Sequence, residues 1–300
     1  MIYTITFNPA IDYLIYVPQL NVGNIVRSYK ERFFCGGKGI NVSLVLKELG
    51  IESTAMGFVA GFTGSAVEQA LKSETINTDF VHLKTGISRI NVKIRSEVET
   101  DINSQGPEIA ESDIEELFKK LEKLKTGDTL VLAGSVPCSL SENIYERIME
   151  KLKSKNIRFV VDAAKSLLTN SLKYKPFLIK PNNDELGEIF DVEIKTPEKA
   201  EKYAHKLREM GALNVLVSLG EKGAVLVNEN GEEFYSPAIK GNALNTVGAG
   251  DSMLAGFIAG YEQKRDWEYA LKLGTAAGGA TAFGEGLAKQ KEIFALLNKM

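Results

Sequence analysis

The sequence predicts an α/β protein: a mostly parallel sheet with helices on both faces, and a small separate sheet beside it. Three observations carry this reading. From residue 112 onward short apolar runs alternate with amphipathic segments of helical period, the rhythm of a sheet built from strand–helix–strand units. Thr129-Leu130-Val131-Leu132-Ala133 holds no charged residue, as expected of a strand buried on both faces. The N-terminal third instead carries extended segments, at about 10–35 and 87–107, that do not fit this rhythm.

Taken in order, Ile2 to Phe7 alternates apolar residues with Thr and is broken by Asn8-Pro9. Tyr13 to Val17, Val26 to Phe34, Ile90 to Arg95 and Val98 to Ile102 read as extended. Gly36 and Gly37 open a helix with Val42, Val45, Leu46 and Leu49 on one face, stopped by Gly50. Ser112 with Glu115 predicts a capping box before a charged amphipathic helix. A helix from Ser141 leads to the strand Arg158 to Val161 and its Asp162. Phe177 to Lys180 is a short strand closed by Pro181. Thr196-Pro197 supplies an N-cap and a first-turn proline for a helix ending near Gly211. Asn214 to Ser218 and Ala224 to Val227 are further strands. From Ala249 the chain is mostly helical, and Ala276, Ala277, Gly278, Gly279 and Ala280 permit close packing. The domain reading is a core of residues 1–9, 36–86 and 108–300. Residues 10–35 and 87–107 form a sheet at its edge, a candidate lid.

Bulk properties narrow the function. A hydrophobic fraction of 44% and a charged fraction of 25% describe a globular protein. A net charge of −3 argues against a nucleic-acid surface, so an anionic ligand needs a local cluster of Lys and Arg. No apolar run approaches the roughly 20 residues that cross a bilayer. The start lacks a charged n-region, which makes the cytoplasm the expected location. Cys35 and Cys138 are isolated and read as small buried thiols. His82 and His205 are isolated too, which leaves a histidine base or a zinc site without support.

Five constellations carry chemistry. In Asn245-Thr246-Val247-Gly248-Ala249-Gly250-Asp251, small residues let backbone N–H groups converge where a helix begins, a place that suits a phosphate. Asp251 beside it could take a proton from an attacking hydroxyl, or merely cap the helix. Gly36-Gly37-Lys38-Gly39-Ile40-Asn41 is neither a Walker A loop nor a dinucleotide fingerprint. It brings Lys38 and Asn41 against a sugar, or makes a plain strand-to-helix turn. Asn182 and Glu185 share one helical face after Lys180-Pro181; they suit a hydrated Mg²⁺ or simple capping. Ser218-Leu219-Gly220-Glu221-Lys222-Gly223 approaches nucleotide phosphates or turns a hairpin. Asp12, Arg27, Arg89, Asn91 and Lys93 fall in the candidate lid, as a phosphosugar clamp or as solvated sheet edges.

The order of these motifs resembles the ribokinase (PfkB) family of sugar kinases over essentially the whole chain. Asn8-Pro9-Ala10-Ile11-Asp12, Gly36 to Val42, Lys180-Pro181-Asn182 with Glu185, and Asn245 to Asp251 carry the resemblance. Arg89 to Lys93, Thr100 to Pro107 and Ala133-Gly134-Ser135-Val136-Pro137 resemble its phosphosugar branch, the kinases of fructose 1-phosphate.

The resemblance implies a ribokinase-like αβα core with a β-sheet lid. It implies Asp251 as base and the amides of Gly248, Ala249 and Gly250 as an anion hole. Asp12, Gly37 and Asn41 would hold sugar hydroxyls, with Asn91 also on the sugar. Lys38, Arg27, Arg89, Lys93 and Ser135 would lie near the sugar's phosphate. Lys180, Asn182, Ser218, Gly220, Gly223, Thr246, Gly248 and Gly250 would bind ATP, with Glu185 and Asn182 holding Mg²⁺ through water. The implied reaction is ATP-dependent phosphorylation of fructose 1-phosphate at its 6-hydroxyl. Tagatose 6-phosphate or fructose 6-phosphate as substrate, and a catalytically silent sugar-phosphate-binding regulator, are the alternatives. The stretch Ala280 to Gly286 matches the adenine and monovalent-cation pattern only loosely, which leaves K⁺ open as a cofactor. A homodimer through the lid sheets is expected.

Overall fold

A computed structural model describes residues 1–244 and 246–300. Nine strands form the main sheet: β1 (Ile2–Thr6), β4 (Ser53–Ala60), β5 (Asn77–Leu83), β8 (Thr129–Ala133), β9 (Arg158–Asp162), β10 (Leu178–Ile179), β11 (Asn214–Ser218), β12 (Ala224–Val227) and β13 (Glu233–Ser236). Their order is β13-β12-β11-β10-β9-β8-β1-β4-β5. Every neighbouring pair from β11 to β5 is parallel; β12 pairs antiparallel with both β11 and β13 and so runs against the rest.

Side chains alternate across this sheet as the pleat requires. Leu130 and Leu132 enter one apolar layer and Val131 enters the other. The first layer is covered by α3 (Glu111–Leu121), α4 (Ile144–Leu152), α5 (Lys165–Thr169), α6 (Asn183–Phe190) and α7 (Pro197–Glu209). The second is covered by α1 (Lys38–Glu48), α2 (Gly61–Ser73), α8 (Ala249–Lys264), α9 (Trp267–Phe283) and α10 (Gln290–Leu297). On α9 the small residues let α8 approach closely: a Cβ on Gly274 would lie 2.8 Å from the Met253 carbonyl oxygen.

A second sheet has the order β3-β2-β6-β7, with β2 (Ala10–Tyr16), β3 (Lys30–Gly36), β6 (Arg89–Arg95) and β7 (Thr100–Ile102). β2 and β6 pair in parallel, which sets Asp12 beside Asn91 and Leu14 beside Lys93. No ladder joins this sheet to the main one among the described residues.

The chain leaves β1 for the second sheet and returns to β4 on one side of β1; β8 later adds on the other. The order of strands therefore reverses at β1 and β8, and a crevice opens beyond their carboxyl ends. Thr6, Gly134, Asp162, Lys180 and Ser218 all sit at that edge.

Several expected elements are corrected. The extended segment at Val26 starts only at Lys30, after an exposed connection. The capping box is not Ser112 with Glu115: α3 begins earlier, and the Asp113 carboxylate accepts from Ala110 N at 2.9 Å. Ser112 then falls inside the first turn. The helix expected from Ser141 begins at Ile144, because Ser141 lies in the turn before it. Cys138 is exposed in the connection after β8 and Cys35 is half-buried, so the buried-thiol reading fails for the first. Strands β4 and β13 and helix α2 lie in stretches where no motif had marked them. No helix of the described residues is long and apolar enough to cross a membrane.

Candidate active site

A cleft of about 460 Å³ opens between the carboxyl edge of the main sheet and the inner face of the second sheet. One wall is the start of α8. Gly248 caps that helix with φ of +80°, and a Cβ there would lie 2.7 Å from Leu287 Cδ2; only glycine fits without strain. Ala249 N donates to Thr246 O at 3.2 Å, which commits that amide. Gly250 and Asp251 follow in the first turn, where helix geometry leaves N–H groups without intrahelical acceptors. Of the three amides expected to form an anion hole, that of Ala249 is thus turned to Thr246, while Gly248 and Gly250 line the cleft. Asn245, the first residue of the motif, lies outside the described residues.

Asp251 is 6% exposed and its Oδ2 accepts from Asn41 Nδ2 at 2.7 Å. Burial, and secondly the charge of Asp162, push its carboxyl up to about 6; Lys38, the Asn41 hydrogen bond and Lys180 pull the other way. A carboxylate poised near neutrality can accept a proton from an alcohol.

Asp162 carried no sequence signal beyond its place at the end of a strand. It is fully buried, and Lys38 Nζ donates to its Oδ1 at 3.1 Å. Lys180 Nζ stands 3.1 Å from Oδ2, outside hydrogen-bonding geometry, so this contact acts as an ion pair. Lys180 also overhangs α8, 3.3 Å from where a Gly250 Cβ would be. The two lysines hold the Asp162 carboxyl below the usual carboxylate range against its burial, and Asp162 in turn helps hold Lys38 well above the usual lysine range.

The second sheet supplies the opposite wall. Asp12 Oδ1 accepts from Asn91 Nδ2 at 2.8 Å. The Arg89 guanidinium reaches Asn8 O through Nε at 3.0 Å and Nη2 at 2.5 Å, and burial lowers its pKa. Lys93 Nζ meets Asp101 Oδ2 at 3.0 Å. Gly37 and Ser135 line the same space. So do Asn182, Glu185 and Ser218 on the far side.

Asn182 and Glu185 cap one another. Glu185 N donates to Asn182 Oδ1 at 2.8 Å and Asn182 N donates to Glu185 Oε2 at 2.9 Å. Among the described residues no group of three or more His, Cys, Asp and Glu could hold a metal ion directly. This donor set fits an ion that keeps its water shell, with Glu185 supplying charge.

Five expected site residues are not brought into the cleft, Ala249 of the α8 start among them. Arg27 is exposed in the connection between β2 and β3. Thr246 is exposed, while Gly220 and Gly223 flank the turn after β11 and do not line the space. A Gly223 Cβ would lie 2.0 Å from Ser236 O, so that glycine answers to the packing of β13.

A family model described as "pfkB family carbohydrate kinase" matches residues 5–292. The chain belongs to that family. The 1-phosphofructokinase of Bacillus subtilis (strain 168) is 43% identical over 297 residues, 99% of this chain and 97% of the relative. The D-tagatose-1-phosphate kinase of Bacillus licheniformis is 37% identical over 288 residues, 96% of this chain and 94% of the relative. The crystal structure of phosphofructokinase-2 from Escherichia coli in complex with fructose-6-phosphate superposes with a TM-score of 0.91 at 26% identity, covering 99% and 98% of the two chains. That enzyme has also been solved with potassium and as a tetrameric inhibited form. The layered core with its small sheet is thus the ribokinase-like fold of the pfkB kinases.

Proposed function

We propose that this kinase transfers the γ-phosphoryl group of ATP to the 6-hydroxyl of fructose 1-phosphate, giving fructose 1,6-bisphosphate and ADP. The observation that supports this reading is one cleft that holds Asp251 at the start of α8, Lys38 and Lys180 close enough to act on its carboxyl, and Arg89 and Lys93 of the second sheet. The Asp251 carboxylate takes the hydroxyl proton as the oxygen bonds to the γ-phosphorus and the bond to the β,γ-bridging oxygen breaks. Lys38, Lys180 and the first-turn amides of α8 stabilise the charge on the transferring group. Arg89 and Lys93 hold the 1-phosphate, and Asp12 with Asn91 orients sugar hydroxyls. Glu185 and Asn182 would hold Mg²⁺ through its water shell, where the ion would supply positive charge to the nucleotide phosphates. The second sheet serves as the lid over the sugar.

The relative acting on D-tagatose 1-phosphate supports a second reading in which the phosphate position is kept and the sugar differs. Rates on fructose 1-phosphate, tagatose 1-phosphate, fructose 6-phosphate and tagatose 6-phosphate separate these readings; a preference for either 6-phosphate overturns the first. Sugar-phosphate binding without ATP turnover would make the chain a silent regulator instead. Activity with and without K⁺ decides the monovalent cation.

The outer face of the second sheet and its connection expose Val22, Ile25, Tyr29 and Phe33. Such a patch suits a homodimer through the two lids, and a monomeric mass in solution refutes it.

A further inference from the structure

Asp162 is the most deeply buried charge in the cleft, and the reaction described above gives it no substrate to touch. Its two oxygens face Lys38 and Lys180, each at 3.1 Å. Lys38 begins α1, which follows the second sheet; Lys180 follows β10, and Asp162 ends β9. β9 pairs with both β8 and β10, so the carboxylate stands on a fixed ladder while the lysines reach it from two directions. Two ammonium groups drawn to one buried point repel each other unless an anion lies between them.

We propose that Asp162 is a positioning residue: it is the resident counter-anion of the phosphate site, holding Lys38 and Lys180 at the start of α8 until nucleotide phosphates share them. This rests on the phosphoryl-transfer reading of the cleft. Three consequences follow from charge alone. Without Asp162 the empty site is destabilised, because two ammonium groups lose their partner. An added polyanion restores more stability than it gives the wild type. The base also feels the loss: the groups around Asp251 are Asp162, Lys38, Lys180 and the Asn41 amide, and removing the one anion among them makes its ionisation easier.

The test compares wild type with Asp162→Asn, which keeps shape and removes charge. Thermal melts with and without sodium pyrophosphate read the anion site without any turnover. The variant is expected to melt lower and to gain more from pyrophosphate than wild type does. The acid limb of its kcat/KM profile is expected to move down by about one pH unit. Equal gains from pyrophosphate, or an unmoved acid limb, overturn the proposal. If wild type binds pyrophosphate but turns over no phosphosugar, the functional reading fails while the melts still judge Asp162. Should Asp162→Asn not fold, the double variant Asp162→Asn with Lys38→Gln removes one of the two stranded charges and is expected to fold. If it does not, Asp162 is needed for packing rather than charge, and the proposal is overturned.

Discussion

Asn41 Nδ2 donates to Asp251 Oδ2 across 2.7 Å, tying the first turn of α1 to the first turn of α8 over 210 residues of sequence. The bond engages the ionised form of Asp251 and fixes its direction. An amide expected to hold the sugar therefore also supports the carboxylate proposed as the base.

Replacing Asp251 separates its two effects. Asp251→Asn is expected to lose on the order of 10² to 10⁴ in kcat with little change in ATP binding. Stability should move the other way. The folded-state value near 6 lies above the ordinary 3.8, so the native state disfavours the charge, and stability falls as pH rises through 6. The variant should be more stable than wild type at pH 8, by on the order of 1–3 kcal/mol, and lose that advantage near pH 4. Denaturant melts at both values check the sign, and wild-type-like turnover would remove Asp251 from the role of base.

The same carboxyl sets an acid limit. Because the base works as its carboxylate, kcat/KM should fall about tenfold per pH unit below a midpoint near 6. A rate profile from pH 4.5 to 8 with a stability control reads this directly, and a profile flat to pH 4.5 contradicts it.

Asn41→Ala removes a hydrogen bond to the charged form of Asp251. The acid midpoint should rise, so the variant loses more activity at pH 6 than at pH 8. A uniform loss across pH would mean that Asn41 acts only on the sugar.

Arg89 reaches the cleft from β6 with its guanidinium already oriented by Asn8 O. Arg89→Ala should raise the KM for the phosphosugar by roughly 10- to 100-fold, the worth of a charged hydrogen bond, and leave the KM for ATP nearly unchanged. Equal changes in both constants would place Arg89 outside the sugar site.

Gly248→Ala puts a side chain on a backbone at φ of +80° and against Leu287. A loss of about 1–3 kcal/mol is expected, seen as a lowered melting temperature. Pairing it with Leu287→Ala should relieve the collision but not the backbone strain.

The parts of the site that could be read from sequence are those where one short segment makes both the turn and the chemistry. Gly248 to Asp251 and Gly36 to Asn41 announce themselves because glycine, a helix start and a polar side chain are adjacent. Strands such as β8, β11 and β12 are equally plain, since each is an apolar run with no charged residue to blur it. Asp162 could not be found this way. Its meaning comes from sheet register and from lysines at positions 38 and 180, and nothing beside it in sequence differs from an ordinary strand end. Arg27 shows the converse: it shares a segment with Asp12, but the connection after β2 carries it out into solvent.

Among the described residues the second sheet shares no strand ladder with the nine strands beneath it. Residues that would tell one phosphosugar from another hang from β2 and β6, while the proposed proton acceptor and the two lysines are anchored in the core. On the proposed reading, substrate choice and chemical competence are housed in separate frames. A lineage could exchange its sugar by editing two strands and leave the reacting apparatus unaltered.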